Sequence, residues 1–393
     1  MKKQLQSLDL LKGIGILMII MVHNRHFIMK DMTGFRQLIN YGQMGCQLFF
    51  MVSGMALCFS WYHMFEKITV SGSQLTLRQY LCCSGKFILR RYLRLAPGFI
   101  TILCVNLLLN ILFMDILGLS PGFIVNRKPA AIIINVLFLH GLFPDYINNV
   151  FPGGWYIGTT FLLYALFPLL VRLFEKLSAL KHPWIVIIPF VLLMINCILL
   201  IFLTRLSHYT LYPYNDSFLY YFFTNQLPCF SLGILLFFQE KTGFSSKCPL
   251  FVSITMFLVT CGSCVYLFLM PEQNFVYTVI PSLAGLSFYW LAVCLIHLEK
   301  QSIVKQIKHR KHSFLDFIVD CGRNSYSMYL VHTFVCWYGM KAITSFLTLY
   351  GYEYNDLLLY CLIYIPSVFV IYAMGRCMKL LLDFFDKKLR PAG

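Results

Sequence analysis

Long apolar runs separated by short polar segments dominate the sequence and restrict the folds it can adopt. A run of about 18 to 25 residues, coiled as an α-helix, crosses the ~30 Å hydrocarbon core of a bilayer. In lipid every backbone N–H and C=O group must form a hydrogen bond within the protein. An α-helix forms all of these bonds within its own segment. We therefore predict an all-α, polytopic membrane bundle that forms one domain over residues 1–393. Ten crossings are predicted, near residues 9–29, 43–65, 95–117, 154–174, 183–203, 217–238, 248–270, 275–297, 325–348 and 356–382.

The composition agrees with that prediction. Hydrophobic residues make up 59% of the chain and charged residues only 12%, which leaves no stretch for a sizeable soluble domain. The first run continues to Met29 without a small-x-small cleavage site, so we interpret it as a retained helix rather than a signal peptide. Most of the 15 cysteines fall inside apolar runs, where we expect buried small side chains and no metal site.

The net charge of +16 can indicate nucleic-acid binding, but the placement of the cations argues against that partner. If the ten crossings are placed with both termini in the cytoplasm, 25 of the 32 Lys and Arg residues lie in cytoplasmic segments. This asymmetry is the positive-inside pattern of a multi-pass membrane protein. The expected partner of the basic segments is the lipid bilayer, and the expected location is the bacterial cytoplasmic membrane.

Two segments are expected to deviate from simple crossings. Residues 66–94 form a basic cytoplasmic loop whose end, "KFILRRYLRLAP", is predicted to be an interfacial helix leading into the third span, with Pro97 in that span's first turn. Residues 130–143 are apolar but too few to cross the bilayer as a helix, so a re-entrant or interfacial segment is predicted there.

The first span carries two ionisable side chains in the stretch "DLLKGIGILMIIMVHN". The helical rise from Lys12 to His23 is about 16 Å, which puts His23 past the middle of the bilayer. An ionisable group held there normally faces a bundle interior or a cavity, and a neutral imidazole is a suitable general base. The alternative is that His23 closes the helix at the outer interface while Lys12 extends to the headgroups.

Three arginines stand at the start of the third span. Arg91 is three residues from Arg94 and Arg90 is four, so each lies about one turn from Arg94. Forked guanidinium groups bind phosphates bidentately, and a phosphorylated cytosolic donor would supply those phosphates. The alternative is a positive-inside anchor.

Five stretches carry motifs that occur in a fixed order. The start "SLDLLKGIGILMIIMVH" has a basic residue, ten intervening positions and a histidine. It is followed by "LFFMVSGMAL", "RRYLRLAP", "GGWYIGTTFLLYALFPLL" and "SYSMYLVHTF". Together, from residue 7 to 334, these stretches resemble the membrane acyltransferase 3 family, with its FFxxSG, RxxR and SYSxYLxH segments.

The resemblance implies transfer of an acyl group, commonly acetyl from acetyl-CoA, to a hydroxyl of an extracytoplasmic carbohydrate or related envelope molecule. His23 takes the catalytic position and Lys12 that of its basic partner. Arg91 and Arg94 take the positions of the RxxR pair, and Arg90 is a further candidate for binding acyl-CoA.

Hydroxyl-to-thioester transfer needs a base for the alcohol proton and donors for the tetrahedral oxyanion. The base is predicted to be His23. For the oxyanion or the surrounding pocket, the candidates are Ser53, Asn24 and Trp155.

Three further positions bear on the pocket. Many members of the family have a Glu where this chain has Thr160, so a mechanism that needs that carboxylate is not supported here. His332 in "YLVHTF" is a candidate pocket residue, although we favour a core histidine bonded to a neighbouring helix. His140, beside Gly141, is a candidate for lining the entrance.

Two other functions are compatible with a polytopic membrane protein. A transporter or exporter of an anionic or acylated substrate would use His23 and the basic residues to line a path, and inverted repeats would support it, but we find no convincing internal symmetry. The other large class of membrane acyltransferases also uses a buried histidine, but its surrounding pattern does not match.

Overall fold

The structure is a computed structural model that describes residues 6–25, 33–66, 76–116, 118, 125–179, 183–206, 215–269, 276–301, 314–351 and 357–389. Within these ranges the regular elements are all helical. The longer ones are α1 (Gln6–His23), α2 (Thr33–Asn40), α3 (Gly45–Glu66), α4 (Leu77–Ile111), α5 (Pro129–Val136), α6 (Trp155–Ala179), α7 (Ile187–Leu206), α8 (Asn215–Tyr221), α9 (Phe223–Glu240), α10 (Phe244–Lys247), α11 (Leu250–Leu269), α12 (Val276–Lys300), α13 (Phe314–Arg323), α14 (Ser325–Thr333), α15 (Met340–Leu349) and α16 (Leu357–Leu389).

The predicted all-α, polytopic bundle is confirmed. Eight helices in the described residues are long and apolar enough to cross a membrane. The other two predicted crossings fall on α7, whose described apolar part is shorter, and on a series formed by α14, the π-helical segment Phe334–Gly339 and α15. Asn324 lies between α13 and this series, and its side chain donates to the carbonyl of Asp320 at 2.6 Å. The orientation of the termini stays a prediction.

The third crossing differs from its prediction. Thr76 and Gln79 form a capping box that starts α4 at Leu77, and the helix continues without a break through the arginines to Ile111. Pro97 therefore lies inside a continuous helix, and its place in the first turn of the membrane-spanning part stays a prediction. The hydroxyl of Thr101 donates to the carbonyl of Pro97 at 2.8 Å. At about 52 Å, α4 is longer than the hydrocarbon core is thick, and part of it extends beyond the lipid tails.

The segment predicted to be re-entrant is a short helix followed by a turn. Helix α5 has eight residues, a rise of about 12 Å, which is too short to cross the bilayer. Phe138 follows with a φ of 58°, and a single turn of 3-10 helix covers His140–Leu142. Whether this segment enters the membrane and returns stays a prediction, as does the interfacial position of residues 76–94. Residues 67–75 and the basic stretch 302–313 lie outside the described residues.

Helix α1 packs very closely against α13, and glycines make this possible. A Cβ on Gly322 would lie 1.7 Å from the carbonyl oxygen of Asp9, and one on Gly13 would lie 2.0 Å from that of Ile318. The carboxylate of Glu299 on α12 accepts hydrogen bonds from the backbone N–H groups of Gln6 and Ser7, which caps the start of α1. The first turns of α1 are therefore fixed from two sides.

We expect Gly322→Ala to destabilise the protein. The added methyl cannot be accommodated unless α1 and α13 separate, and such overpacking costs about 1–3 kcal/mol or more. The measurement is the melting temperature of the purified protein in detergent. Gly262→Ala on α11 is the matched control, because no atom lies within 4 Å of its added Cβ. Equal melting temperatures for the two variants would contradict the close packing of α1 and α13.

Candidate active site

One cavity of about 960 Å³ lies between the helices. Its walls come from α1, α3, α4, α6, α13 and α14, and from the end of α9. Along α3 it extends from Phe49 to His63, which is about 21 Å of helix rise. The cavity is therefore elongated, and its two ends differ in chemistry.

Five cationic side chains line the end of the cavity near the start of α1, which we call the cation end. They are Lys12, Arg91, Arg94, Lys241 and Arg323. Among the described residues that line the cavity, none is Asp or Glu. Clustered charge of one sign next to low-dielectric walls attracts a ligand of the opposite charge, so the cation end is suited to a polyanion.

Asp9 positions two of these cations. Its buried carboxylate accepts a hydrogen bond from Lys12 Nζ at 3.2 Å and one from Arg323 Nε at 3.4 Å. The close packing of α1 against α13 places this carboxylate beside Arg323. Asp9 thus holds both side chains at the cavity wall while it neutralises only one of the two charges.

Aromatic rings position two more of the cations. Arg91 donates to the hydroxyl of Ser60, and its guanidinium carbon lies 4.9 Å from the centre of the Phe87 ring. The ammonium nitrogen of Lys241 lies 3.8 Å from the centre of the Tyr62 ring. Cation–π contacts of this kind hold a cation in place without cancelling its charge.

The opposite end of the cavity, which we call the inner end, is lined by hydroxyl groups. Ser53, Tyr156 and Thr160 all line the cavity, and among the described residues the Thr160 hydroxyl has no hydrogen-bond partner. Tyr329 also lines this end, and its hydroxyl donates to the carbonyl of Gly153 at 2.7 Å. The ring centres of Tyr156 and Tyr329 are 4.8 Å apart. The inner end therefore combines aromatic walls with hydroxyl groups that can donate hydrogen bonds.

Two histidines lie behind Tyr329. The ring centres of Tyr329 and His332 are 4.8 Å apart, and those of His332 and His23 are 4.9 Å apart. His332 is fully buried and His23 is half-buried. Neither histidine is among the residues that line the cavity, whereas Tyr329, whose ring contacts that of His332, does line it. Three rings in contact therefore connect the inner end to His23.

The structure brings some of the predicted site residues together and separates others. Among the predicted set, the residues that line the cavity are Lys12, Ser53, Arg91, Arg94 and Thr160. Arg90 is exposed on α4 and does not line it. His23 and His332 lie next to each other although 309 positions separate them in the sequence.

Asn24 and Trp155 do not reach the cavity. The buried amide of Asn24 donates to the carbonyl of Ile20 at 2.9 Å, and its oxygen lies 3.4 Å from the hydroxyl of Ser367, which also donates to the carbonyl of Ile363 at 2.8 Å. Trp155 stacks on Tyr221 with ring centres 4.3 Å apart. The geometry therefore favours structural roles for both residues over the predicted oxyanion role.

His140 and His332 also differ from their predictions. His140 is fully buried, its Nε2 lies 2.9 Å from the carbonyl oxygen of Gly154, and its ring stacks on Phe99. It does not line the cavity. His332 bonds through Nδ1 to the carbonyl of Tyr329 in its own helix, whereas a bond to a neighbouring helix was expected.

Sequence reasoning missed several residues of the cavity wall, namely Tyr156, Lys241, Arg323 and Tyr329. Lys241 and Arg323 were among the Lys and Arg residues assigned to the cytoplasmic segments. That assignment predicted which side of the membrane they lie on, but it did not predict that the two side chains line the same cavity. Tyr156 and Tyr329 lie within stretches that had been singled out as motifs. The motifs therefore indicated that Tyr156 and Tyr329 could belong to the site, but only helix packing decides which side chains face the cavity.

A family model described as an acyltransferase domain matches residues 5–376. The chain belongs to the acyltransferase 3 family. No curated protein and no solved structure matches it. The match includes every wall of the cavity, so the site described above lies within the acyltransferase domain.

For a multi-pass membrane acyltransferase, the arrangement provides two useful elements. The cation end is suited to the anionic part of a donor, and the inner hydroxyl groups are suited to an oxygen that gains charge during the reaction. In the described residues of this acyltransferase, no group of three or more His, Cys, Asp or Glu side chains is placed to hold a metal ion.

Proposed function

We propose that this acyltransferase moves an acyl group, which we take to be acetyl, from cytosolic acyl-CoA to a hydroxyl of an extracytoplasmic glycan or other envelope molecule. One observation carries the proposal. A single cavity extends from five cations to Tyr329, and ring contacts continue from Tyr329 through His332 to His23. The two substrates would then approach His23 from opposite sides of a bacterial cytoplasmic membrane.

The donor is assigned from the charge of the cation end. Acyl-CoA carries phosphate groups at one end and an uncharged thioester at the other, which matches a cavity with cations at one end and hydroxyl groups at the other. Arg91 and Arg94 would bind phosphates through their forked guanidinium groups, with Lys12, Lys241 and Arg323 as further charges. The positive-inside distribution of the cations supports entry of this donor from the cytosol.

His23 is the proposed general base. It would take the proton from the acceptor hydroxyl as the oxygen attacks the thioester carbonyl, and the carbon–sulfur bond would then break to release CoA. The hydroxyls of Ser53, Tyr156 and Thr160 are the proposed donors to the oxyanion. Thr160 would therefore act as a hydrogen-bond donor, and no carboxylate is needed at its position.

The proposal requires a movement of Tyr329. Its ring lines the inner end of the cavity and contacts His332, and its hydroxyl donates to the carbonyl of Gly153. If that ring turned aside, the cavity would reach His332, whose ring is in contact with that of His23. Rotation of one aromatic side chain is a small change compared with the movement of a helix.

Membership of an acyltransferase family favours this function over the transporter alternative. The decisive experiment uses the purified full-length protein in detergent or lipid nanodiscs with radiolabelled acetyl-CoA. We expect free CoA to be released faster when an envelope extract that contains candidate acceptors is added, and label to appear in the extract. Binding of CoA without any acceptor-dependent release or label transfer would contradict the proposed function.

A further inference from the structure

The protonation state of His332 follows from its surroundings. Its Nδ1 faces the backbone carbonyl of Tyr329, which can only accept a hydrogen bond. Nδ1 must therefore carry the proton, and in a neutral imidazole Nε2 then has a free lone pair. His332 is fully buried, so this tautomer is fixed by the interior of the protein.

The lone pair on Nε2 is buried without a hydrogen-bond partner. A buried acceptor in that condition costs free energy, and most such atoms in folded proteins are paired. The neighbours of the ring are His23, with ring centres 4.9 Å apart, and the backbone at Gly153, where an added Cβ would lie 3.9 Å from His332 Cε1. The ring of His23 is therefore in contact with that of His332, but no His23 nitrogen is hydrogen-bonded to Nε2 in this structure.

We propose that His332 is a positioning residue for acyl transfer that acts through His23 as a proton relay. This inference rests on the proposed function. His23 takes the proton of the acceptor hydroxyl. The two rings then turn until the other His23 nitrogen donates to Nε2 of His332, and a proton passes along that hydrogen bond. The acceptor oxygen forms its bond to the acyl carbon and the carbon–sulfur bond breaks. The proton then returns through His23 to the thiolate, so the products are the ester and CoA thiol.

The Tyr329 carbonyl offsets part of the cost of charging the buried His332. When Nε2 gains a proton, His332 becomes a cation whose Nδ1–H already bonds to that carbonyl, and a hydrogen bond to a charged donor is stronger than one to a neutral donor. The alternative is a structural role, in which His332 serves only to hold the backbone at Tyr329 and to fill space.

Two substitutions separate the relay from the structural role. In His332→Asn the amide nitrogen lies near the position of Nδ1 and keeps the bond to Tyr329, but nothing replaces Nε2. In His332→Gln the amide reaches the position of Nε2 but cannot take a proton. A relay requires both variants to lose kcat by about 100-fold or more, with an unchanged KM for acetyl-CoA. A structural role requires His332→Asn to keep the kcat of the wild type, and that result would overturn the inference.

A measurement on the unmodified protein covers the case in which the variants fail to fold. The single-turnover rate is measured in mixtures of H₂O and D₂O. A relay moves two protons, so the rate should depend on the deuterium fraction along a curve, and a straight line would overturn the inference. A wild type that binds CoA but transfers no label would reject the proposed function and the relay together. An active wild type with an equally active His332→Asn would reject the relay alone.

Discussion

His23→Ala is expected to lower kcat for acyl transfer by about 100- to 10,000-fold, the usual contribution of a general base. The affinity for CoA should stay unchanged, because His23 does not line the cavity in which the donor is proposed to bind. The rate is measured as label transferred to the acceptor, and the affinity by calorimetric titration with CoA. The melting temperature of the variant shows whether it is folded.

A folded His23→Ala variant with the turnover of the wild type would remove the catalytic assignment. Loss of CoA binding together with turnover would also contradict the account, because it would place the donor beside His23 instead of at the cation end. The informative result is therefore a loss of kcat without a change in the affinity for CoA.

Arg91→Ala is expected to weaken the affinity for acetyl-CoA by about 10- to 100-fold. Hydrogen bonds to charged groups contribute about 1.5–3 kcal/mol, and each 1.4 kcal/mol is a factor of ten in affinity. Arg91 is half-buried, lines the cavity and is positioned by Ser60 and Phe87, so little screening by solvent is expected. Calorimetric titration at two salt concentrations measures the effect.

Arg90→Ala is the matched control for Arg91→Ala. The two residues are adjacent on α4 and carry the same charge, but Arg90 is exposed and does not line the cavity. We expect its affinity for acetyl-CoA to change less than about twofold, as for a surface charge screened by salt. Equal losses in both variants would mean that the general charge of this membrane face, and not the cavity, attracts the donor.

Most of the fold was predictable from the sequence because membrane insertion leaves a simple pattern. Apolar runs of the required length correspond to helices along the whole chain, and they need no tertiary information to be recognised. The start of α4 was missed because Thr76 and Gln79 cap a helix in a polar segment, where hydropathy carries no information. The division between α13 and α14 depends on a side-chain bond of Asn324 to the preceding turn, which hydropathy also does not show.

The candidate site was predictable only in part. The RxxR spacing and the first-helix pattern led to residues of the cavity wall, among them Lys12, Arg91 and Arg94. Lys241 and Arg323 come from distant parts of the chain. They share the cavity with the other cations because α1 packs against α13 and α3 packs against both α1 and α9. The contact between His23 and His332 likewise depends on the packing of α1 with α14.

The central claim is that acyl-CoA occupies the cavity with its phosphates at the cation end and its thioester at the inner end. An electron cryo-microscopy map of the protein with bound CoA tests it most directly. The account predicts density for the phosphates beside Lys12, Arg91 and Lys241 and for the thiol beside Ser53 and Tyr329. Density for CoA at another surface while the cavity stays empty, or a thiol that points away from Tyr329, would contradict it.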